Sequence, residues 1–176
     1  HCQPLPNTEF YSQYLLDQSK RLILGLSGIT IILIDDSLLR TKLTSGLAAE
    51  FGKRVIHQTT APEANAVICC GWDWWIENYF YLPTPQQIII ALFPIPSLTS
   101  PLIAARVDYF KRQRRDWFRE MLLPEAIRLI IQAIAPTRKT SPRVAVLDGR
   151  LWARSWGEEV LQALEPFVPL TRLLPN

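Results

Sequence analysis

Histidine, methionine and cysteine are scarce in this chain: two, one and three in 176 residues. No spacing of His, Cys, Asp and Glu fits a metal site, so none is expected to be held by this chain. His57 stands alone at the end of a predicted strand, without an acidic or hydroxyl partner in the pattern, which argues against a catalytic base. Cys69 and Cys70 are adjacent within a predicted strand, so their side chains point to opposite faces and share neither a disulfide nor a metal. With Cys2 they make an odd set, as expected of reduced thiols in a cytoplasmic protein. No apolar run approaches the roughly 18 residues of a membrane span, and no signal peptide is present. The chain opens His1-Cys2 and its one methionine is Met121, so an excised piece of a longer protein is expected.

A phosphate-binding loop is also missing. The nearest approach runs from Gly46 to Arg54, but its glycines are one residue too far apart and Arg54 stands where a Ser or Thr must hold Mg²⁺. It also falls at the end of a predicted helix, whereas phosphates need a helix N-terminus. Gly52 reads better as a helix C-cap. There is no internal repeat and no low-complexity segment.

What remains is ordinary globular material, 48% apolar and 20% charged, enough for one domain spanning residues 1–176. Charge is uneven. Residues 1–88 carry six Lys and Arg against eight Asp and Glu, and residues 89–176 carry thirteen against eight, so the positive excess lies in the second half. Such a bias fits an anionic partner.

Unbroken apolar runs predict buried strands at Ile29–Ile34, Ala66–Cys70, Gln87–Leu92 and Val144–Leu147, with a short one at Val55–His57. Between them lie helical patterns. One runs from a cap at Asn7 or Thr8 to Leu24, with Phe10, Tyr14 and Leu22 on its apolar side. Another runs from Leu38 to Phe51, capped by Asp35-Asp36-Ser37. Ser100 is expected to cap a helix beginning at Pro101 with Ile103, Val107 and Phe110 inward. Trp152–Leu164 reads as one helix with Trp152, Trp156, Val160 and Leu164 in a stripe. Gly71–Pro85, rich in Trp and Tyr, is expected to be irregular. Helices alternating with buried strands predict a parallel α/β sheet covered on both faces.

The stretch from Leu122 to Leu151 is the most informative. Pro124 suits the first position of a helix, Ile127, Ile130, Ile131 and Ile134 recur at helical spacing, and Pro136 ends it. A basic loop, Thr137–Pro142, leads to the strand at Val144 and to the turn Asp148-Gly149-Arg150. Leu123-Pro124-Glu125-Ala126, Ile131-Gln132, Arg138-Lys139 and Val146-Leu147-Asp148 with Arg150-Leu151 resemble the end of the second RecA-like domain of DinG/XPD-type DNA helicases. That family reads roughly LPxAxxxLxQGxGRxxR and then VVxxLDxRL. Phe93–Arg106, FPIPSLTSPLIAAR, is close to the family's LPFPxPxDPLxxAR and is the most specific match.

The resemblance implies a P-loop NTPase-like second helicase domain without a P-loop of its own. The family's motor residues are only partly retained. Gln132 is kept, Ala133 and Ala135 replace both glycines, Pro136 replaces the first arginine and Lys139 the second, with Arg138 beside it. In such motors that arginine reaches the γ-phosphate, which proline cannot do and lysine does without the bidentate fork. In the family's FWEGVDxPG segment, Glu77 aligns with the acid, while Asn78 and Phe80 replace the glycine and the aspartate.

Gln132, Arg138 and Lys139 are therefore the expected vestige of a nucleotide cleft. ATP and Mg²⁺ belong to the parent protein if it is active, bound chiefly by its first RecA-like domain. No catalytic residue is assigned, and the chain alone is not expected to hydrolyse ATP. Arg106, Lys111, Arg112, Arg114 and Arg115 form the densest basic cluster and are the expected contacts to single-stranded DNA, weak in isolation, with Asp108 placed to pair with Arg112. Two alternatives remain open. One is a helicase-derived, non-catalytic binding or scaffold module. The other is a receiver-like phosphoacceptor domain, prompted by Asp35-Asp36 and Asp73 after predicted strands.

Overall fold

In the computed structural model, which describes residues 3–170, five strands form one parallel sheet. They are β1 (Thr30–Leu33), β2 (Val55–His57), β3 (Val67–Cys70), β4 (Gln87–Ile90) and β5 (Arg143–Val146), in the spatial order β2-β3-β1-β4-β5. The four long apolar runs are adjacent strands, in register from Thr30 with Val67 on one side and Gln87 on the other. Every residue of β1, β3 and β4 is buried, which is why these strands read as continuous rather than alternating.

Helices α1 (Tyr11–Leu24) and α2 (Ser37–Phe51) cover one face, with Tyr11, Leu15, Leu22, Leu43 and Leu47 against Ile32, Val67, Cys69 and Ile89. Helices α3 (Trp72–Asn78), α5 (Leu123–Ile134), α6 (Arg150–Ala153) and α7 (Gly157–Leu164) cover the other, with Trp75, Ile130, Ala133 and Val160 against Ile31, Ile68, Cys70 and Ile88. Each fully buried Ile or Leu contributes about 1.5–3 kcal/mol. The two thiols sit in opposite cores, as their alternation along β3 requires. Burial pushes the Cys69 thiol up to about 11 and raises Cys70 further. Cys2 lies outside the described residues. Among the described residues no helix is long and apolar enough to cross a membrane.

Several expectations are corrected by the fold. Neither Asn7 nor Thr8 caps the first helix. Thr8 Oγ1 donates to the Leu5 carbonyl, the helix begins at Tyr11, and Phe10 is exposed. Gly71–Pro85 is not irregular. Its aromatics build α3 and a 3₁₀ turn at Tyr79–Tyr81, because Trp72 and Trp75, three apart, share the buried side. Ser100 precedes α4 (Pro101–Arg112) in extended conformation but its side chain makes no capping bond. Trp152–Leu164 is two helices. The chain turns at Arg154–Trp156, leaving Trp152 exposed, and Gly157 lets α7 press against the Leu151 backbone.

Pro124 stands in the first turn of α5, as expected. A π-turn at Phe118–Leu122 runs straight into α5, closed by the Leu123 N–H donating to the Phe118 carbonyl. The wider turn just before Pro124 absorbs the missing N–H and the ring's clash with the preceding turn. Asp36 does cap α2, its carboxylate accepting from the Leu39 N–H, and Gly52 ends it at φ +58°. The receiver-like alternative fails on topology. A receiver places its first strand between the second and the third, whereas β1 here lies between β3 and β4, with β2 at the edge.

Candidate nucleic-acid interface

Parallel strands give the sheet two distinct edges, one at their amino ends and one at their carboxyl ends. The loop with Arg138 and Lys139 precedes β5 and lies at the amino edge. The turn Asp148-Gly149-Arg150 follows β5 and lies at the carboxyl edge, with Asp35 and Gly71.

On α5, Gln132 is exposed but engaged. Arg128 Nη1 donates to its Oε1 at 2.7 Å, while the same guanidinium makes two bonds to Glu125. This ladder follows from residues 125, 128 and 132 standing one helical turn apart. Arg128 beside it holds the Glu125 carboxyl below the usual range. Gln132 borders an open groove of about 560 Å³ whose floor is Leu123, Pro124, Ile127 and Ile131. Arg138 is half-buried and Nη2 donates to the Ala163 carbonyl near the end of α7. Lys139 is exposed. Gln132 and Arg138 are thus both occupied by partners within the chain.

The basic cluster at the end of α4 is also divided by its contacts. Arg115 lies over the Phe110 ring at 4.5 Å and is paired with Glu120. Lys111 lies over the Trp117 ring at 5.8 Å. Arg112 and Arg114 are exposed and, among the described residues, make no ion pair; the expected Asp108–Arg112 pair does not form. Arg114 reaches a φ of +55°, turning the chain out of α4. Arg106 is exposed on α4 and its charge reaches Glu125. A second groove, about 450 Å³, runs between α4 and the π-turn, lined by Ala105, Arg106, Tyr109, Phe110 and Met121.

The carboxyl edge holds a constellation that sequence reasoning registered only as a turn. Asp148 is completely buried. Its Oδ2 accepts from the Phe93 N–H at the exit of β4, and its oxygens accept from the backbone and guanidinium of Arg150. The spacing Asp-Gly-Arg was the available signal, since a carboxylate directly after a buried strand needs a nearby donor. Tyr11 Oη donates to the Ala91 carbonyl at the same edge, and burial raises its pKa. Gly149 is pressed against the Pro4 carbonyl, where a Cβ would stand 2.4 Å away. Farther along, Asp35 Oδ1 accepts from the Trp72 N–H, and Arg40 Nε donates to His57 Nε2 at 3.2 Å. His57 therefore has a partner, but a cation, which gives it no means of activating a nucleophile.

Comparison with known proteins bears on the second half of the chain. Residues 84–167 match the helicase C-terminal domain family. Over 85 residues, the chain is 32% identical to the ATP-dependent DNA helicase DinG of Photobacterium profundum, covering 47% of this chain and 12% of that protein.

Proposed function

We propose, from the match of residues 84–167 to the helicase C-terminal domain family and the partial likeness to DinG, that the chain serves as the nucleic-acid-binding second RecA-like domain of a larger DNA helicase or helicase-derived protein. Its partner within that parent would be a first RecA-like domain, which would bind ATP and Mg²⁺. The likeness to DinG covers only 12% of that protein, so the activity of a whole parent enters as part of this proposal. A cytoplasmic location accords with buried, unpaired thiols at Cys69 and Cys70.

The observation that carries the reading is the exposed cationic end of α4, where Arg112 and Arg114 are unpaired among the described residues. Guanidinium groups presented without carboxylate partners are available to phosphates. The test is fluorescence anisotropy of the chain with a labelled single-stranded oligonucleotide across a salt series. Binding should be weak, with Kd no tighter than about 10⁻⁴–10⁻⁶ M at physiological salt, and should fall steeply as salt rises. Replacing Lys111, Arg112 and Arg114 with Ala should flatten the salt slope by roughly 0.7 for each phosphate that is no longer neutralised. Arg115 is left in place because it covers Phe110 and pairs with Glu120. Absence of binding at low salt, or binding unchanged in the triple variant, refutes the reading.

A second reading, a non-catalytic scaffold, is favoured by the residues expected at the nucleotide cleft. Pro136 stands where the family has an arginine, Arg138 is bonded to Ala163, and Gln132 to Arg128. As they stand, these residues do not fit a γ-phosphate contact. On either reading the chain alone should not hydrolyse ATP.

A further inference from the structure

We propose that Tyr109 is a base-stacking contact for the single-stranded nucleic acid taken at α4; this rests on the nucleic-acid reading above. Only Val107 of the twelve residues of α4 is buried, so most of this helix is surface. Three aromatic rings gather at its C-terminal end. Phe110 has Arg115 over its face and Trp117 has Lys111 over its face. Tyr109 is 57% exposed and, among the described residues, has no cation over its ring. Its aromatic contact among the described residues is with Phe110, edge to face at 6.1 Å, so no ring is stacked flat on it.

The surroundings fit a base with its phosphates. Arg106 lies one turn before Tyr109 and Arg112 one turn after, on the same side of the helix. Tyr109 also lines the 450 Å³ groove, whose remaining walls are Ala105, Phe110 and Met121, apolar surface that a flat base can cover, with Arg106 at the rim. A stripe reading cation, aromatic, cation is the arrangement that tracks a single strand, with phosphates on the guanidinium groups and an unstacked base on the ring. In a duplex the base faces are already stacked, so Tyr109 would gain nothing from it. An apolar protein segment could use the groove floor, but the flanking cations favour a polyanion.

The experiment compares three labelled ligands at low salt: oligothymidine, an abasic deoxyribose-phosphate strand of equal length, and a blunt duplex. Each is titrated with the full chain and with its Tyr109→Ala and Tyr109→Phe variants. The wild type should bind oligothymidine about fivefold or more tighter than the abasic strand, the lower bound for one base–aromatic stack. Tyr109→Ala should lose that factor while keeping the salt slope, and Tyr109→Phe should keep it. Equal affinity of the wild type for the two strands, a base preference that survives Tyr109→Ala, or a duplex bound as tightly as the single strand each overturns the proposal while leaving phosphate binding intact. Failure of the wild type to bind any of the three refutes the nucleic-acid reading itself, and a protein partner then becomes the better occupant. Should Tyr109→Ala fail to fold, Tyr109→Leu, which keeps an apolar side chain at this exposed position without a ring, takes its place and should lose the same factor.

Discussion

Replacing Asp148 with Ala tests whether the Asp-x-Arg turn after β5 is a structural brace. Asp148 is 0% exposed, and its carboxylate joins two chain segments, the exit of β4 through the Phe93 N–H at 2.9 Å and the start of α6 through Arg150. Removing it leaves a buried N–H without an acceptor, which costs about 1–3 kcal/mol. It also strands the Arg150 guanidinium, whose side chain is 21% exposed and so only partly rehydrated. Breaking a buried ion pair costs about 3–5 kcal/mol, and the residual exposure of Arg150 argues for the lower end, about 3 kcal/mol. For a domain of this size that is about 6–12 °C in Tm. Urea unfolding followed by circular dichroism should give the same loss without a change in m-value. A double-mutant cycle with Arg150→Met isolates the pair and should show coupling above about 1 kcal/mol. A loss below about 1 kcal/mol in Asp148→Ala, or strict additivity in the cycle, would show that the turn is not a brace.

Two further perturbations follow from particular contacts. Asp35 lies at the surface, but its Oδ1 is turned in against the Trp72 N–H, and desolvation, aided by the nearby Asp73 charge, raises its pKa despite that bond and Arg40. A raised carboxyl pKa means that stability present at low pH is lost as pH climbs from the ordinary carboxylate range through the raised value. Asp35→Asn keeps the acceptor and removes the charge, so it should stabilise the protein modestly at pH 7 and leave it unchanged near pH 3; equal effects at both pH values would contradict this. Gly157→Ala would put a Cβ 1.8 Å from the Leu151 carbonyl, and since backbone must move to relieve it, a loss of about 1–3 kcal/mol is expected in thermal melts; Gly52→Ala, where a Cβ meets nothing but the backbone stands at φ +58° and ψ −131°, should also lose about 1–3 kcal/mol through backbone strain alone, and an unchanged melt in either variant would contradict this.

The three central strands β1, β3 and β4 were legible in the sequence because burial on both faces favours an unbroken apolar run, a local property, with Thr30 and Gln87 as the buried polar exceptions at their starts. The same holds for the Asp36 cap, the Gly52 C-cap, the stop at Pro136 and the separation of Cys69 from Cys70, each set by chemistry within a few residues. The family likeness was legible for a related reason, since Phe93–Arg106 and the residues around Asp148 form short, nearly contiguous motifs. Tertiary structure alone decided the strand order, because which apolar run lies beside which depends on crossovers that no local pattern encodes. It decided that the aromatics of Gly71–Pro85 form a helix, since Trp75 is fixed by donating to the Ala133 carbonyl 58 residues away. It also decided which basic residues are available. Lys111, Arg112, Arg114 and Arg115 are equivalent as letters, but Phe110, Trp117 and Glu120 engage two of them, and Ala163 draws Arg138 away. A charge is a property of the sequence; whether that charge is free to meet a ligand depends on what the fold brings within hydrogen-bond distance of it.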